Sequence, residues 1–289
     1  MRTILLLLFL FAAHVGHAET QEIAVGDRLY LIDLPARPQG VPVIVALHGG
    51  KGSPRQFARS SGLAAPALRA GYAVVWPAGT GRGPLLTWNE VYRCGCAARE
   101  RIDDLAFPDA VIADATGRFG LDPGLVFLTG MSNGSLMAEA YAARRPAAVR
   151  AVAGVAGTLD LARFPPKGAG PPAAHSRHSG RPFALCGRHG SEGFTDTDFT
   201  PVANVIAAFR KVAEPGLTAT RQVIDPADDG IRTVQDDWTD AQARAVVRLL
   251  TIEGGGHVWP GGRRADRQGG STRDITANAE VLRFFDLWR

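Results

Sequence analysis

In Leu125-Val126-Phe127-Leu128-Thr129-Gly130-Met131-Ser132-Asn133-Gly134-Ser135-Leu136-Met137-Ala138-Glu139-Ala140-Tyr141, a short apolar run passes through G-x-S-x-G into a second run with apolar residues at Leu136, Met137, Ala140 and Tyr141. The first run is bounded by turn residues and reads as a buried strand; the second reads as a helix. Gly130 and Gly134 let the backbone turn sharply, lifting the Ser132 hydroxyl above the sheet in a conformation that most residues resist. Ser132 is therefore a candidate nucleophile. It stands at a helix N-terminus, where unpaired N–H groups and the helix dipole favour the anion of an acyl-transfer intermediate.

Upstream, Val41-Pro42-Val43-Ile44-Val45-Ala46-Leu47 is a continuous apolar run, as expected of a strand buried on both faces. It ends in His48-Gly49-Gly50-Lys51-Gly52. Glycines directly after a buried strand free backbone N–H groups to face a ligand, so Gly49 and Gly50 are expected to form an oxyanion hole together with Asn133. Residues 21–34 pattern as a hairpin about Gly26-Asp27, 57–70 as a helix, and 72–76 as a strand. Residues 79–98 form a long irregular loop holding Trp88, Asn89, Tyr92, Cys94 and Cys96. Asp103 and Asp104 suit the N-terminus of a helix over 105–119, and capping accounts for both.

Downstream, 148–156 is an apolar strand, and 158–181 is a Pro- and Gly-rich segment in which His175 and His178 read as solvated loop residues. A strand over 183–186 contains Cys186; Thr200 is placed as the N-cap of a helix over 202–212, with Pro201 in its first turn. The loop between them carries Glu192, Asp196 and Asp198. A last strand, 245–252, leads to Glu253-Gly254-Gly255-Gly256-His257-Val258-Trp259-Pro260-Gly261-Gly262, and a helix over 277–288 closes the chain. Strands alternating with helices predict an α/β fold, a mostly parallel central sheet with helices on both faces. Ser132, a carboxylate and His257 follow in that order, each just past a predicted strand, where open α/β sheets place their sites.

The 289 residues, 46% hydrophobic, suffice for a sizeable core, and one catalytic domain over 19–289 is expected. Residues 1–18 have a basic start, a short apolar run and small residues before Ala18; they read as a secretory signal peptide, giving a secreted or periplasmic protein with no membrane span after cleavage. Net charge is +4, from 32 basic against 28 acidic residues. The densest basic cluster, Arg263-Arg264 with Arg267, is not interleaved with aromatics, so it reads as solvated surface and not as a nucleic-acid site. Three cysteines leave at least one unpaired within a monomer. Cys94 and Cys96 have no second ligand pair at metal spacing, so neither metal nor cofactor is implied. Pairing among Cys94, Cys96 and Cys186 and the oligomeric state stay open.

The chain resembles the secreted polyhydroxybutyrate-depolymerase and feruloyl-esterase-like branch of the α/β-hydrolases, including the LpqC-type esterases. The matching pieces are Leu47-His48-Gly49-Gly50, Trp88-Asn89, the cysteine loop with Ile102-Asp103-Asp104, Thr129-Gly130-Met131-Ser132-Asn133-Gly134, and Gly255-Gly256-His257-Val258-Trp259-Pro260-Gly261-Gly262. The resemblance implies an α/β-hydrolase fold and a Ser132–His257–carboxylate triad acting on esters. Where such enzymes often carry H-G-T-x-D, His189-Gly190-Ser191-Glu192-Gly193 has no aspartate. Gly193-Phe194-Thr195-Asp196-Thr197-Asp198-Phe199-Thr200-Pro201 is similar to the family's G-x-x-D-x-T-V-x-P. Asp196 is therefore the preferred acid, with Asp198 and Glu192 as alternatives. The implied substrate is a polyester of 3-hydroxy acids or its oligomers, or else a feruloyl or acetyl ester on plant polysaccharide. Soluble oligomers are favoured over insoluble polymer, since no binding module or Ser/Thr-rich linker is seen. Trp88 and Trp259 are candidates to flank the acyl or alcohol group of the substrate, and core packing explains both aromatics equally well. A peptidase and a catalytically silent binding protein on the same scaffold remain alternatives.

Overall fold

The computed structural model describes residues 20–83, 85–89, 97, 101–167, 171–178, 199–213, 215–263 and 270–289. The strands are β1 Gln21–Val25, β2 Arg28–Asp33, β3 Val43–Leu47, β4 Ala73–Pro77, β5 Thr80–Arg82, β6 Leu85–Thr87, β7 Val126–Met131, β8 Ala151–Val155, β9 Ala173–His178, β10 Thr218–Ile224, β11 Arg232–Thr239 and β12 Ala245–Glu253, and buried apolar runs supply the central β3, β4, β7 and β8. The helices are α1 Pro54–Ser61, α2 Ala64–Arg69, α3 Ala106–Phe119, α4 Asn133–Arg144, α5 Val202–Val212 and α6 Ala277–Asp286. Among the described residues, ten strands form one sheet in the order β1-β2-β4-β3-β7-β8-β9-β12-β11-β10, and β5 and β6 pair separately. The run from β4 to β12 is parallel throughout, and antiparallel strands flank it at both edges.

Strand periodicity divides the interior into two cores. Val43, Val45 and Leu47 face one side of β3 and Ile44 and Ala46 the other, and Val75 and Trp76 of β4 likewise part company. The first core is covered by α3, α4 and α5 through Val111, Met137, Tyr141, Val205 and Phe209. The second is covered by α1, α2 and α6 through Phe57, Ala67, Val281, Phe284 and Phe285. Phe284 and Phe285 are fully buried, which stabilises the fold by about 1.5–3 kcal/mol each.

The predicted hairpin, central strands, elbow helix and last helix are present, and the differences have local causes. The helix expected over 57–70 is broken at Gly62, whose φ of 64° ends α1 in the left-handed conformation. The N-cap of α5 is Pro201, not Thr200, whose carbonyl accepts from Thr158 Oγ1 at 2.6 Å. Residues 79–98 include the short β5–β6 pair. Part of the segment expected as a Pro/Gly loop is strand β9, between β8 and β12, and His175 on it is buried, not solvated. The strand expected over 183–186 and the signal peptide lie outside the described residues. No helix among the described residues is long and apolar enough to cross a membrane.

Candidate active site

The elbow between β7 and α4 is a chain turning on itself. Ser132 has φ 54° and ψ −123°, a left-handed conformation that a side chain resists and surrounding structure must hold. Its N–H donates to the Val155 carbonyl at the end of β8 (2.9 Å), and its carbonyl accepts from Ser135 and Leu136 in the first turn of α4 (2.8 and 3.0 Å). Both flanking glycines are sterically required. A Cβ at Gly130 would lie 2.3 Å from the Gly134 carbonyl oxygen, and one at Gly134 would lie 2.1 Å from that of Leu47.

The loop after β3 lies against this turn. A Cβ placed on Gly49 would be 3.7 Å from Ser132 Cβ, and one on Gly50 would be 3.4 Å from Asn133 Cβ. The structure therefore brings together Ser132, Asn133, Gly49 and Gly50. His48, fully buried, braces the loop: its Nε2 accepts from Gly79 N–H at 3.0 Å, which leaves the proton on Nδ1 to face the Gly49 carbonyl at 2.9 Å. Burial pushes its pKa down to about 4, so the ring is neutral at neutral pH.

His257 follows β12 by four residues and is half-buried; Gly254, at φ 83°, starts the loop, and Gly256 N–H donates to the Gly270 carbonyl at 2.9 Å. The loops bearing Ser132 and His257 leave the same end of the sheet, with β8 and β9 between their strands. Asp196, Asp198 and Glu192 lie outside the described residues, as do Cys94, Cys96 and Cys186. Among the described residues no group of His, Cys, Asp or Glu could hold a metal ion.

Of the two readings open for Trp88 and Trp259, substrate flank or core packing, the burial of both rings fits core packing. Trp88 has no exposed surface and donates from Nε1 to the His48 carbonyl at 2.9 Å. Trp259, 4% exposed, stands edge-on to Phe57 with ring centroids 5.3 Å apart and donates to Asn278 Oδ1 at 3.0 Å. Neither ring has the free face a substrate contact needs. The N-cap of α3 is Leu105, with no side-chain cap bond; Asp103 accepts from Leu105 and Ala106 N–H just ahead of the helix, and the Asp104 carboxylate binds Arg28 at 2.7 Å, 76 residues away. Burial raises the Asp104 pKa and lowers that of Arg28, and their mutual attraction opposes both shifts.

A second polar cluster went unpredicted. Ser135 Oγ donates to Glu139 Oε1 at 3.1 Å, and His175 Nδ1 lies 3.3 Å from the same oxygen, off the hydrogen-bonding line; all three residues are buried. Gly154 makes the room, since a Cβ there would fall 2.2 Å from Glu139 Oε1. Ser135 and Glu139 carry the i, i+4 spacing of a helix pair in the sequence, but their partner comes from another strand, so the spacing alone did not mark them.

The profile of the family described as Esterase PHB depolymerase matches residues 27–161. A putative esterase, NocK, of Nocardia uniformis subsp. tsuyamanensis is 31% identical over 254 residues, covering 79% of this chain and 68% of that one. Among solved structures, an acetyl xylan esterase from Aspergillus awamori superposes with a TM-score of 0.64 at 13% identity, covering 93% of this chain and 100% of that one. TT1662 from Thermus thermophilus gives 0.56 at 16% identity, covering 93% and 97%. At these identities the structural likenesses establish the α/β-hydrolase fold alone.

Proposed function

The chain belongs to the esterase PHB depolymerase family, esterase-type hydrolases of α/β-hydrolase fold, and on that premise we propose that it is an exported serine esterase working through Ser132, His257 and Asp196. Ser132 Oγ attacks the ester carbonyl carbon as its proton passes to the His257 imidazole, whose cation the Asp196 carboxylate orients and stabilises. The carbonyl oxygen becomes an anion facing the N–H groups of Asn133 and of the Gly49-Gly50 loop. Collapse breaks the bond to the alcohol oxygen, which takes the proton back from His257. Water then repeats the sequence on the acyl-enzyme and releases the acid.

The observation that carries this reading is the strained Ser132 backbone, with φ 54°, held against Gly49. A positive φ at a non-glycine residue persists where its surroundings over-determine it, and such positions cluster at active sites. The topology is compatible with His257 completing the set. Three strand spacings of about 4.8 Å separate β7 from β12, about 14 Å; four extended residues of about 3.3 Å each cover about 13 Å of it, and the His257 and Ser132 side chains cover the rest.

The proposed substrate is a poly(3-hydroxybutyrate)-type ester or its soluble oligomers. Ser132→Ala should abolish hydrolysis of a short-chain nitrophenyl ester and labelling by a fluorophosphonate while leaving the melting curve cooperative; retained turnover would remove the mechanism. Single substitutions of Asp196, Asp198 and Glu192 identify the acid as the one whose loss is far costlier than the others. A panel of hydroxybutyrate oligomers, methyl ferulate, acetylated xylan and a peptide ester with its amide separates polyester, feruloyl, acetyl and peptidase activities.

A further inference from the structure

The side chain of the residue after Ser132 is held on a long-range network. Asn133 is 7% exposed, and its carboxamide closes reciprocally on one backbone unit of the loop after β6: Trp88 N–H donates to Oδ1 at 2.8 Å, and Nδ2 donates to the Trp88 carbonyl at 3.1 Å. Two bonds between two amides restrain rotation as well as translation. Asn133 opens α4, yet this pairing ties it to a loop 45 residues away.

That loop is itself anchored. Asn89 N–H donates to Asp104 Oδ2 at 2.7 Å, and Asn89 Nδ2 donates to the Ile102 carbonyl at 2.7 Å. The other Asp104 oxygen takes Arg28 Nη1 at 2.7 Å, while Arg28 Nε and Nη2 both donate to the Ala78 carbonyl, at 3.1 and 2.6 Å. The guanidinium lies 3.7 Å from the Phe107 ring centroid, and the Asp104 side chain is 0% exposed. The pair is thus a fixed post, reaching Asn133 through consecutive residues Asn89 and Trp88.

Resting on the reading that the Asn133 N–H is an oxyanion donor, we propose that the Asn133 carboxamide is a positioning group for that donor, and that the buried Arg28–Asp104 pair holds it there through Trp88 and Asn89. The donor must meet an oxygen that moves as the carbonyl becomes tetrahedral, and a constellation of this kind has to be held to about 0.5 Å. A misplacement of about 1 Å costs on the order of 100-fold in rate. The first turn of a helix that begins at a strained residue needs an external tie to meet that tolerance, and the two amide bonds to Trp88 supply it.

The test measures, for each variant, kcat per fluorophosphonate-titrated site, KM for a short-chain nitrophenyl ester, and Ki for an alkyl boronic acid, whose tetrahedral serine adduct presents an oxygen to the same donors. Asn133→Ala keeps the backbone N–H and removes the clamp; it should lower kcat by about 100-fold, leave KM within about threefold, and weaken the boronic acid by a factor that tracks kcat. Asp104→Asn should show the same pattern more weakly, by about tenfold. If that variant fails to fold, Arg28→Lys, which keeps the charge but loses the forked donors, reads the same anchor. A kcat per titrated site within twofold of the parent in Asn133→Ala, or a lowered kcat with unchanged boronic acid affinity, would overturn the proposal. An inert Ser132→Ala beside a fully active Asn133→Ala would sink the positioning role alone, whereas an active Ser132→Ala would sink the nucleophile assignment beneath it.

Discussion

Replacing Ser132 by glycine and by alanine separates the strain of the elbow from its chemistry. Both substitutions remove the hydroxyl, so both should be without turnover, and both keep the backbone bonds to the Val155 carbonyl and from the Ser135 and Leu136 N–H groups. They differ in the Cβ. Holding a non-glycine residue at φ 54° and ψ −123° costs about 1–3 kcal/mol, which Ser132→Ala retains and Ser132→Gly releases. Against this, glycine gives the unfolded chain more freedom, worth about 0.4–1 kcal/mol. The glycine variant should therefore be the more stable of the two by about 1–2 kcal/mol, a melting temperature about 2–4 °C higher for a chain of this size. Thermal melts by circular dichroism, at one pH and scan rate, with urea unfolding as an independent measure, read the difference. A glycine variant melting at or below the alanine variant would show that the elbow carries no strain, and would remove the observation on which the choice of Ser132 rests.

Gly134→Ala puts a methyl 2.1 Å from the Leu47 carbonyl oxygen and 2.5 Å from that of His48. Both obstacles are backbone, so α4 must move away from β3; we expect at least about 1–3 kcal/mol of destabilisation and a fall in kcat, and near-parental kcat and melting would refute the steric account. His48 makes stability depend on pH. Its pKa, 6.5 in an unfolded reference, is held at about 4 in the fold, so below 6.5 the unfolded chain binds a proton that the native chain does not, and stability falls as pH drops from 6.5 towards 4. The loss is about 3 kcal/mol at 1.36 kcal/mol per unit. In urea unfolding across that range, His48→Asn should flatten the dependence, and an unchanged slope would clear His48 of it. Trp259→Phe keeps a ring against Phe57 but loses the bond to Asn278, so melting should fall by the equivalent of about 1 kcal/mol with KM unchanged; a raised KM would return Trp259 to the substrate.

Residue order carries whatever short-range chemistry encodes. The apolar runs of β3, β4, β7 and β8 are buried on both faces, which marks a parallel sheet wherever the helices come to lie. The glycines at 130 and 134 announce a turn that no other residue fits, so the elbow was legible before its surroundings were. Strands β10 and β11 escaped because their residues are polar and β10 is almost wholly exposed; such strands owe their place to partners, not to an apolar face. The segment around His175 looked like loop because its prolines and glycines dominate the local signal, while its strand pairing comes from β8 and β12.

Tertiary structure alone decided what the polar side chains do. Asp104 and Asp103 are adjacent and chemically identical, yet Asp103 accepts from the N–H groups just ahead of α3 and Asp104 binds the half-buried Arg28. Trp88 has the composition of a substrate platform and the environment of a strut. Hydrogen bonds and ion pairs join residues 45 or 76 positions apart, and no periodicity records such a meeting: a hydrophobic pattern states which face is buried, whereas a buried polar group takes its role from the one partner the folded chain sets opposite it.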